Sequence, residues 1–218
     1  MKPTPQPLDN GLLVIFEGID GSGKTTQLQL AQTALQAAGW PSLVTTRNLG
    51  GTPIGEELRK VILSPLERPN TTNLYISVAI QEALAAEIQV KRGQGQLILM
   101  DRGPVSLAAY EIFGGGLEAG LGWQHVETGM SKLQPELIIL YQVGVTTALE
   151  RIQRKTGQTD YFESQPASYF KKVADGYAAA AKRYPEQTVI VDAAQSIEAV
   201  HAQTMQAVTA VLQRKLEN

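Results

Sequence analysis

A chain of 218 residues with 43% hydrophobic and 18% charged side chains is long enough for one large α/β domain with its own core, and needs no disulfide or metal staple. Its formal net charge of −2 gives no electrostatic footprint for DNA, RNA or an anionic membrane, so no nucleic-acid or membrane partner is expected. The absence of cysteine excludes disulfides, thiolate metal sites and a cysteine nucleophile, and fits a reducing compartment, so a cytoplasmic location is expected.

The start, MKPTPQPLDN, is polar and proline-rich, unlike a signal h-region, and residues 1–10 are expected to form a loose lead. Short apolar runs bounded by Gly, Asp or Pro follow at Leu12–Phe16, Ser42–Thr46, Gln96–Met100, Glu136–Val143 and Thr188–Val191. Their continuous apolarity is that of strands covered on both faces. Helical patterns lie between them. Leu28, Ala31, Leu35 and Ala38 recur at three- and four-residue steps before Gly39. Ile76, Ile80, Leu84 and Ile88 make an i, i+4 stripe, and Ile197, Val200, Thr204, Val208 and Val211 another. Phe113–Gly122, FGGGLEAGLG, reads as a long flexible connection. The two histidines, His125 and His201, read as helix-surface or partly buried imidazoles. Strands alternating with helices predict a parallel α/β sheet in one domain, residues 11–218. No apolar run approaches the ~20 residues of a membrane helix.

The first strand runs straight into EGIDGSGKTTQ, and Gly18–Thr25 match G-x-x-x-x-G-K-[ST] between a strand and an amphipathic helix. Gly18, Gly21 and Gly23 let the backbone turn its N–H groups inward. The helix N-terminus adds its dipole, favouring a polyphosphate. Lys24 is placed to neutralise β and γ oxygens, and Thr25 to offer its hydroxyl to Mg²⁺. Asp101, closing the apolar run QLILM, supplies the second acid for the metal, and Arg102 follows it at once. The GTPase N/TKxD signature occurs nowhere, and DRGPVS lacks DxxG. A motor ATPase would usually be larger. Small-molecule kinases remain.

The order Phe16–Gln27, Thr45–Arg59, Leu97–Tyr110, Pro135–Val143 and Ala174–Ala193 resembles the thymidylate kinase family over nearly the whole chain. The resemblance implies a P-loop fold with a five-stranded parallel sheet, a homodimer, ATP with Mg²⁺ as donor and a nucleoside monophosphate as acceptor. It also implies a short lid over about 152–165. In that frame Gly18, Ile19, Asp20, Gly21, Ser22, Gly23, Lys24, Thr25 and Thr26 hold ATP, and Thr25 with Asp101 holds the metal. Asp20 lies near the acceptor, Arg59 and Arg102 grip its phosphate, and Ser106 and Tyr110 complete the acceptor side. With Gly21 where other members carry an arginine, Arg151, Arg154 and Lys155 enter the lid as the cations for the transferring phosphoryl group. Such a cation is worth roughly 10³–10⁵ in rate.

Five positions depart from the family pattern. Asn48-Leu49 replaces Glu-Pro, and Gly103 replaces an aromatic or histidine. Ile80 falls where an arginine reads the base, Leu107 where a small polar residue meets the base edge, and Tyr161 where an arginine follows the lid aspartate. Losing hydrogen-bonding base readers threatens specificity more than chemistry. Three readings stand: a thymidine monophosphate kinase, a kinase of another phosphorylated metabolite, and an ATP-binding protein without catalysis.

Overall fold

The computed structural model describes residues 5–6, 8–40, 42–154 and 161–217. Five strands, β1 (Leu12–Glu17), β2 (Leu43–Arg47), β3 (Leu97–Asp101), β4 (Leu137–Gln142) and β5 (Thr188–Asp192), form one parallel sheet in the order β2-β3-β1-β4-β5. Each expected run is a strand to within about a residue at its ends. The chain leaves β1 to one side for β2 and β3, then crosses to the other for β4 and β5, and ligand crevices open at such a reversal.

Among the described residues eight helical elements surround the sheet: α1 (Lys24–Ala37), α2 (Pro53–Ile62), α3 (Asn70–Gly93), α4 (Pro104–Leu107) continuing as a π-helical run Ala108–Gly114, α5 (Ala119–Leu133), α6 (Val145–Gln153), α7 (Ala167–Arg183) and α8 (Ile197–Glu217). α1 and α8 pack together beneath β1, while α3, α4, α5 and α7 group around the π-helical run. β1 is buried along its whole length and β3 and β4 nearly so, with Leu12 to Phe16 at 0% exposure. Each such aliphatic side chain contributes roughly 1.5–3 kcal/mol by leaving water. The edge strands differ from the expectation of full cover. Thr45 and Arg47 of β2 and Val189 and Ile190 of β5 are exposed, because an edge strand has helices over only part of each face.

α1 ends as the sequence predicts, with Gly39 at φ +86° and the Trp40 N–H returning to the Leu35 carbonyl. The α3 stripe is buried at Ile80, Leu84 and Ile88, with Ile76 half-buried. One expectation is corrected. The glycine-rich stretch is not a flexible insert: Gly114 closes the π-helical run and Gly120 and Gly122 lie within α5, leaving residues 115–118 as the connection. A Cβ on Gly122 would stand 2.4 Å from Ile112 Cγ1, and one on Gly114 2.8 Å from the Tyr169 ring. These glycines permit close packing. Before β1, Leu8 is 3% exposed in the core, and its N–H donates to the Gly95 carbonyl. Among the described residues no helix is long and apolar enough to cross a membrane.

Candidate active site

Strand register brings the sequence motifs together. Phe16 pairs with Asp101, and Arg47 pairs with Asp101 from the other side. The chain leaving β1 therefore meets the chain leaving β3, and the loop after β2 joins them. The Arg102 N–H donates to the Phe16 carbonyl and the Asn48 N–H to the Asp101 carbonyl, at 2.9 Å each.

Gly18, Gly21 and Gly23 have φ of +147°, +78° and +90°, as a cradle of inward amides requires. A Cβ on Gly21 would lie 2.2 Å from the Ala148 carbonyl oxygen. The start of α6 fills the space that an arginine at this position would need. Gly23 caps α1, whose first turn carries no acid, leaving the helix N-terminus open to an anion. Ile19 anchors the loop in the core, Ser22 is buried with its Oγ unpartnered, and Thr25 and Thr26 are exposed. Thr25 Oγ1 donates to Asp101 Oδ2 at 3.1 Å, and Asp101 Oδ1 is buried without a partner. A hydroxyl beside an orphaned carboxylate oxygen suits a hard divalent cation that also takes phosphate oxygens. A second cavity, next to Thr26 and Gln27 and bounded by Arg151, Gln195 and Ile197, gives room for the rest of a nucleotide.

Arg102 is the hub of the polar site. Its backbone is left-handed at φ +64°, and its side chain is only 14% exposed. The guanidinium is ion-paired to Asp20, donates to the Gly18 carbonyl at 3.2 Å and Tyr177 Oη at 2.8 Å, and stacks 4.8 Å over the Tyr110 ring. Tyr110 Oη donates to the second Asp20 oxygen at 2.7 Å, and Lys24 Nζ lies 3.4 Å from the first. Burial works against the Asp20 charge, but Arg102 and Lys24 overcome it and hold the carboxyl well below its ordinary range. Burial, with Arg102 nearby, pushes Lys24 down.

Behind Arg102 runs a chain of donors. Ser106 Oγ donates to Glu17 Oε2 at 2.7 Å and lies 2.8 Å from Tyr177 Oη. With its one hydrogen committed to Glu17, Ser106 accepts from Tyr177, and Tyr177 accepts from Arg102. Glu17 also takes the Gly103 N–H at 2.6 Å. Its burial raises the carboxyl to about 7, with Arg102 pulling the other way. Sequence reasoning gave Glu17 and Tyr177 no role, although both lie in segments that carry the family resemblance.

The loop after β2 is built as its letters suggest. Thr52 caps α2 by accepting the Gly55 N–H at 2.9 Å, and Pro53 follows at the first helical position. Glu56 takes the Gly51 N–H and the Arg47 guanidinium, fixing the turn. Arg59 on α2 donates to the Leu49 carbonyl at 2.7 Å and borders the same cleft as Arg102 and Asp20. That cleft holds about 570 Å³ including its open mouth, within the ~300–1,000 Å³ usual for small ligands. The arginine pair faces one space.

The departures acquire physical reasons. Leu49 is at φ +57°, which proline cannot reach, so this loop takes a path closed to Glu-Pro. Asn48 is 4% exposed and donates to the Gly103 carbonyl, with its Oδ1 unpartnered. A Cβ on Gly103 would press on Ile15 Cδ1 at 2.7 Å. Ile80 does not reach the cleft; it is 0% exposed in the core, and Ser77 and Gln81 line the cleft from the same helix. Ile80 packs as its place on the Ile76–Ile80–Leu84–Ile88 stripe implies, and α3 gives the cleft a polar wall. Leu107 does line the cleft, as do Glu111 and Phe162, which sequence reasoning missed. Tyr161 lies under the Arg68 guanidinium at 5.5 Å.

The expected lid cations separate. Arg151 bridges the Gly21 and Ala193 carbonyls at 3.4 and 3.0 Å, on the donor side. Arg154 is 79% exposed, 3.9 Å from Glu150. Lys155 and lid residues 156–160 lie outside the described residues.

A family model described as Thymidylate kinase matches residues 16–204. A thymidylate kinase of Pelotomaculum thermopropionicum is 31% identical over 205 residues, covering 93% of this chain and 94% of that protein. One of Burkholderia vietnamiensis is 37% identical over 195 residues, covering 86% and 92%. Among solved structures, thymidylate kinase from Ehrlichia chaffeensis superposes with a TM-score of 0.72 at 24% identity, covering 91% of this chain and 98% of that one, a likeness of fold.

Proposed function

The chain belongs to the thymidylate kinase family, and from that premise we propose that it transfers the γ-phosphoryl group of ATP to a nucleoside monophosphate, thymidine monophosphate first. An oxygen of the acceptor phosphate forms the new bond to the γ-phosphorus as the bond to the β–γ bridging oxygen breaks. The products are ADP and a nucleoside diphosphate. An ionised phosphate oxygen needs no strong base, so the protein's task is positioning and charge.

The observation that carries this reading is the placing of Arg102, which touches the P-loop at Gly18 and Asp20 and borders the cleft shared with Arg59. Two guanidinium forks suit a dianionic phosphate and keep their charge at any working pH. The Gly18–Thr26 amides and Lys24 take the donor's phosphates. Thr25 and Asp101 would hold Mg²⁺, whose chemistry when bound is to neutralise the phosphate oxygens. Asp20 releases its partners in part as phosphates arrive, while Tyr110 keeps it in place. Arg151 and Arg154 are the chain's described cations for the transferring group. One catalytic unit over 11–218, a homodimer and a cytoplasmic setting complete the reading.

ADP release measured against a panel of monophosphates tests it. Thymidine monophosphate should stimulate release, and Arg102→Ala should lower kcat/KM by on the order of 10²–10³. Binding of ATP with no acceptor-dependent release would leave a nucleotide-binding protein instead.

A further inference from the structure

Glu17 closes β1 and is 0% exposed, and the described hydrogen bonds to its carboxyl come from neutral groups, the Gly103 N–H and the Ser106 hydroxyl. An acid this buried is ordinarily paired with a cation. A glutamine of the same volume would cost less to bury, so the carboxylate supplies something that an amide cannot. What it supplies is acceptance alone, since an ionised carboxyl accepts at both oxygens and donates at neither. Oε1 takes the Gly103 N–H at 2.6 Å, next to Arg102 with its left-handed backbone at φ +64°. Oε2 takes the Ser106 hydroxyl, which leaves Ser106 to accept from Tyr177 and Tyr177 to accept from Arg102. One carboxylate thus holds Arg102 at its backbone and, through a one-way chain, at its guanidinium.

A donor on the Ser106 side reverses that chain. In a glutamine the oxygen has to stay on the Gly103 N–H, because an amide nitrogen there would meet a second donor at 2.6 Å. The nitrogen then faces Ser106 and donates to it. Ser106 donates onward to Tyr177, and the Tyr177 hydrogen is left against Arg102, which has donors only. Beside Glu17 and Tyr177 lies a small cavity of about 190 Å³ including its mouth, lined chiefly by aliphatic side chains such as Val105, Ile138 and Leu140. It gives that hydrogen little to bind. A protonated Glu17 has one O–H and acts as the glutamine does.

We infer that Glu17 is a positioning residue for the acceptor phosphate: as the acceptor-only end of the chain it aims the Arg102 guanidinium, and acceptor binding weakens when position 17 becomes a donor. Glu17 touches no reacting atom and acts through Arg102. This inference rests on the nucleoside monophosphate reading above, and on its phosphate end alone. The titratable groups about Glu17 are Arg102 after β3, Tyr177 on α7 and Lys24 at the head of α1, while β4 presents Ile138 and Leu140. Burial raises the Tyr177 hydroxyl well above its ordinary range, and Asp20, against burial, does the same for Arg102, so both keep their protons at any working pH. Burial loosens the Lys24 proton, and Lys24 serves the donor. The Glu17 carboxyl, raised by burial to about 7, is the group that changes charge across neutrality.

Equilibrium binding tests it separately from turnover. Wild type, Glu17→Gln and Tyr177→Phe are titrated with thymidine monophosphate at about pH 8.5 and about pH 5.5, and with ATP at both as a control for folding and for Lys24. At the higher pH Glu17→Gln should bind thymidine monophosphate at least about fivefold more weakly than wild type, with ATP affinity within about twofold. At the lower pH the gap should close to within about twofold, because the wild-type carboxyl has itself become a donor. The ligand's own ionisation cancels in the ratio of the two proteins. The gap between wild type and Tyr177→Phe should narrow in the same way, and it decides the matter if the glutamine form folds poorly. A gap of equal size at both pH values, no gap at the higher one, or an equal loss for ATP overturns the inference. Binding with the expected ratios but without ADP release would sustain it while removing the kinase reading. A wild type that binds no monophosphate would overturn both.

Discussion

Replacing Tyr177 by phenylalanine removes one hydroxyl and keeps the ring packed at 3% exposure. Two buried hydrogen bonds are lost, that from Arg102 at 2.8 Å and that with Ser106 at 2.8 Å. A bond to a charged group is worth about 1.5–3 kcal/mol and a neutral one about 0.5–1.5 kcal/mol, so global stability should fall by roughly 2–4 kcal/mol. Arg102 keeps Asp20 and the Gly18 carbonyl, so its head stays in the site but loses the anchor on the side of α7. If about half of the charged bond's worth is expressed as misplacement, the acceptor loses about 0.8–1.5 kcal/mol, or roughly four- to tenfold in KM. Steady-state kinetics on Tyr177→Phe should show that rise for thymidine monophosphate, with KM for ATP within about twofold of wild type, because the cradle amides are untouched. A lowered melting temperature with unchanged acceptor KM would refute the argument and leave Tyr177 as packing alone.

Other expectations follow from single positions. Glu111 has its carboxyl raised from 4.5 to about 7 in the fold, so between those values the native state binds more protons than the unfolded chain and stability falls as pH rises. Glu111→Gln should therefore gain on wild type by on the order of 2–3 kcal/mol at about pH 8, and the gain should vanish near about pH 4.5; denaturant titrations showing equal gaps at both would contradict it. Gly122→Ala should cost about 1–3 kcal/mol through its clash with Ile112, measured as a fall in melting temperature, whereas a flexible insert would show none. Leu49→Pro, at φ +57°, should destabilise the fold by at least about 1 kcal/mol and weaken acceptor binding, while Leu49→Gly should not destabilise it.

The strands and the phosphate cradle are legible because their signals are local: an apolar run, three glycines, a lysine and a threonine within Gly18–Thr25. Arg59 and Arg102 could be named for the acceptor because each belongs to a contiguous motif. What the sequence hid is tertiary. Ile80 lies on the stripe that the sequence marks for burial, but that its neighbour Gln81 faces the cleft is set by the packing of α3. Tyr177 meets Arg102 across 75 positions of sequence. The π-helical run was masked by three successive glycines, Gly114–Gly116, that read as a loop, and with it went the chance to see Glu111 as part of the site. Gly122, too, reads as flexibility until Ile112 is seen against it.

The most direct test is the binding of a bisubstrate compound in which adenosine and thymidine are joined by a five-phosphate bridge. If the cradle and the arginine pair hold donor and acceptor phosphates in one line, the joined compound should bind at least about 100-fold tighter than ATP or thymidine monophosphate alone, through effective concentration. Arg59→Ala and Arg102→Ala should each erase at least about tenfold of that gain, the loss of a charge-assisted bond. A compound that binds no tighter than ATP, in wild type and variants alike, would show that the two halves of the site do not face one another.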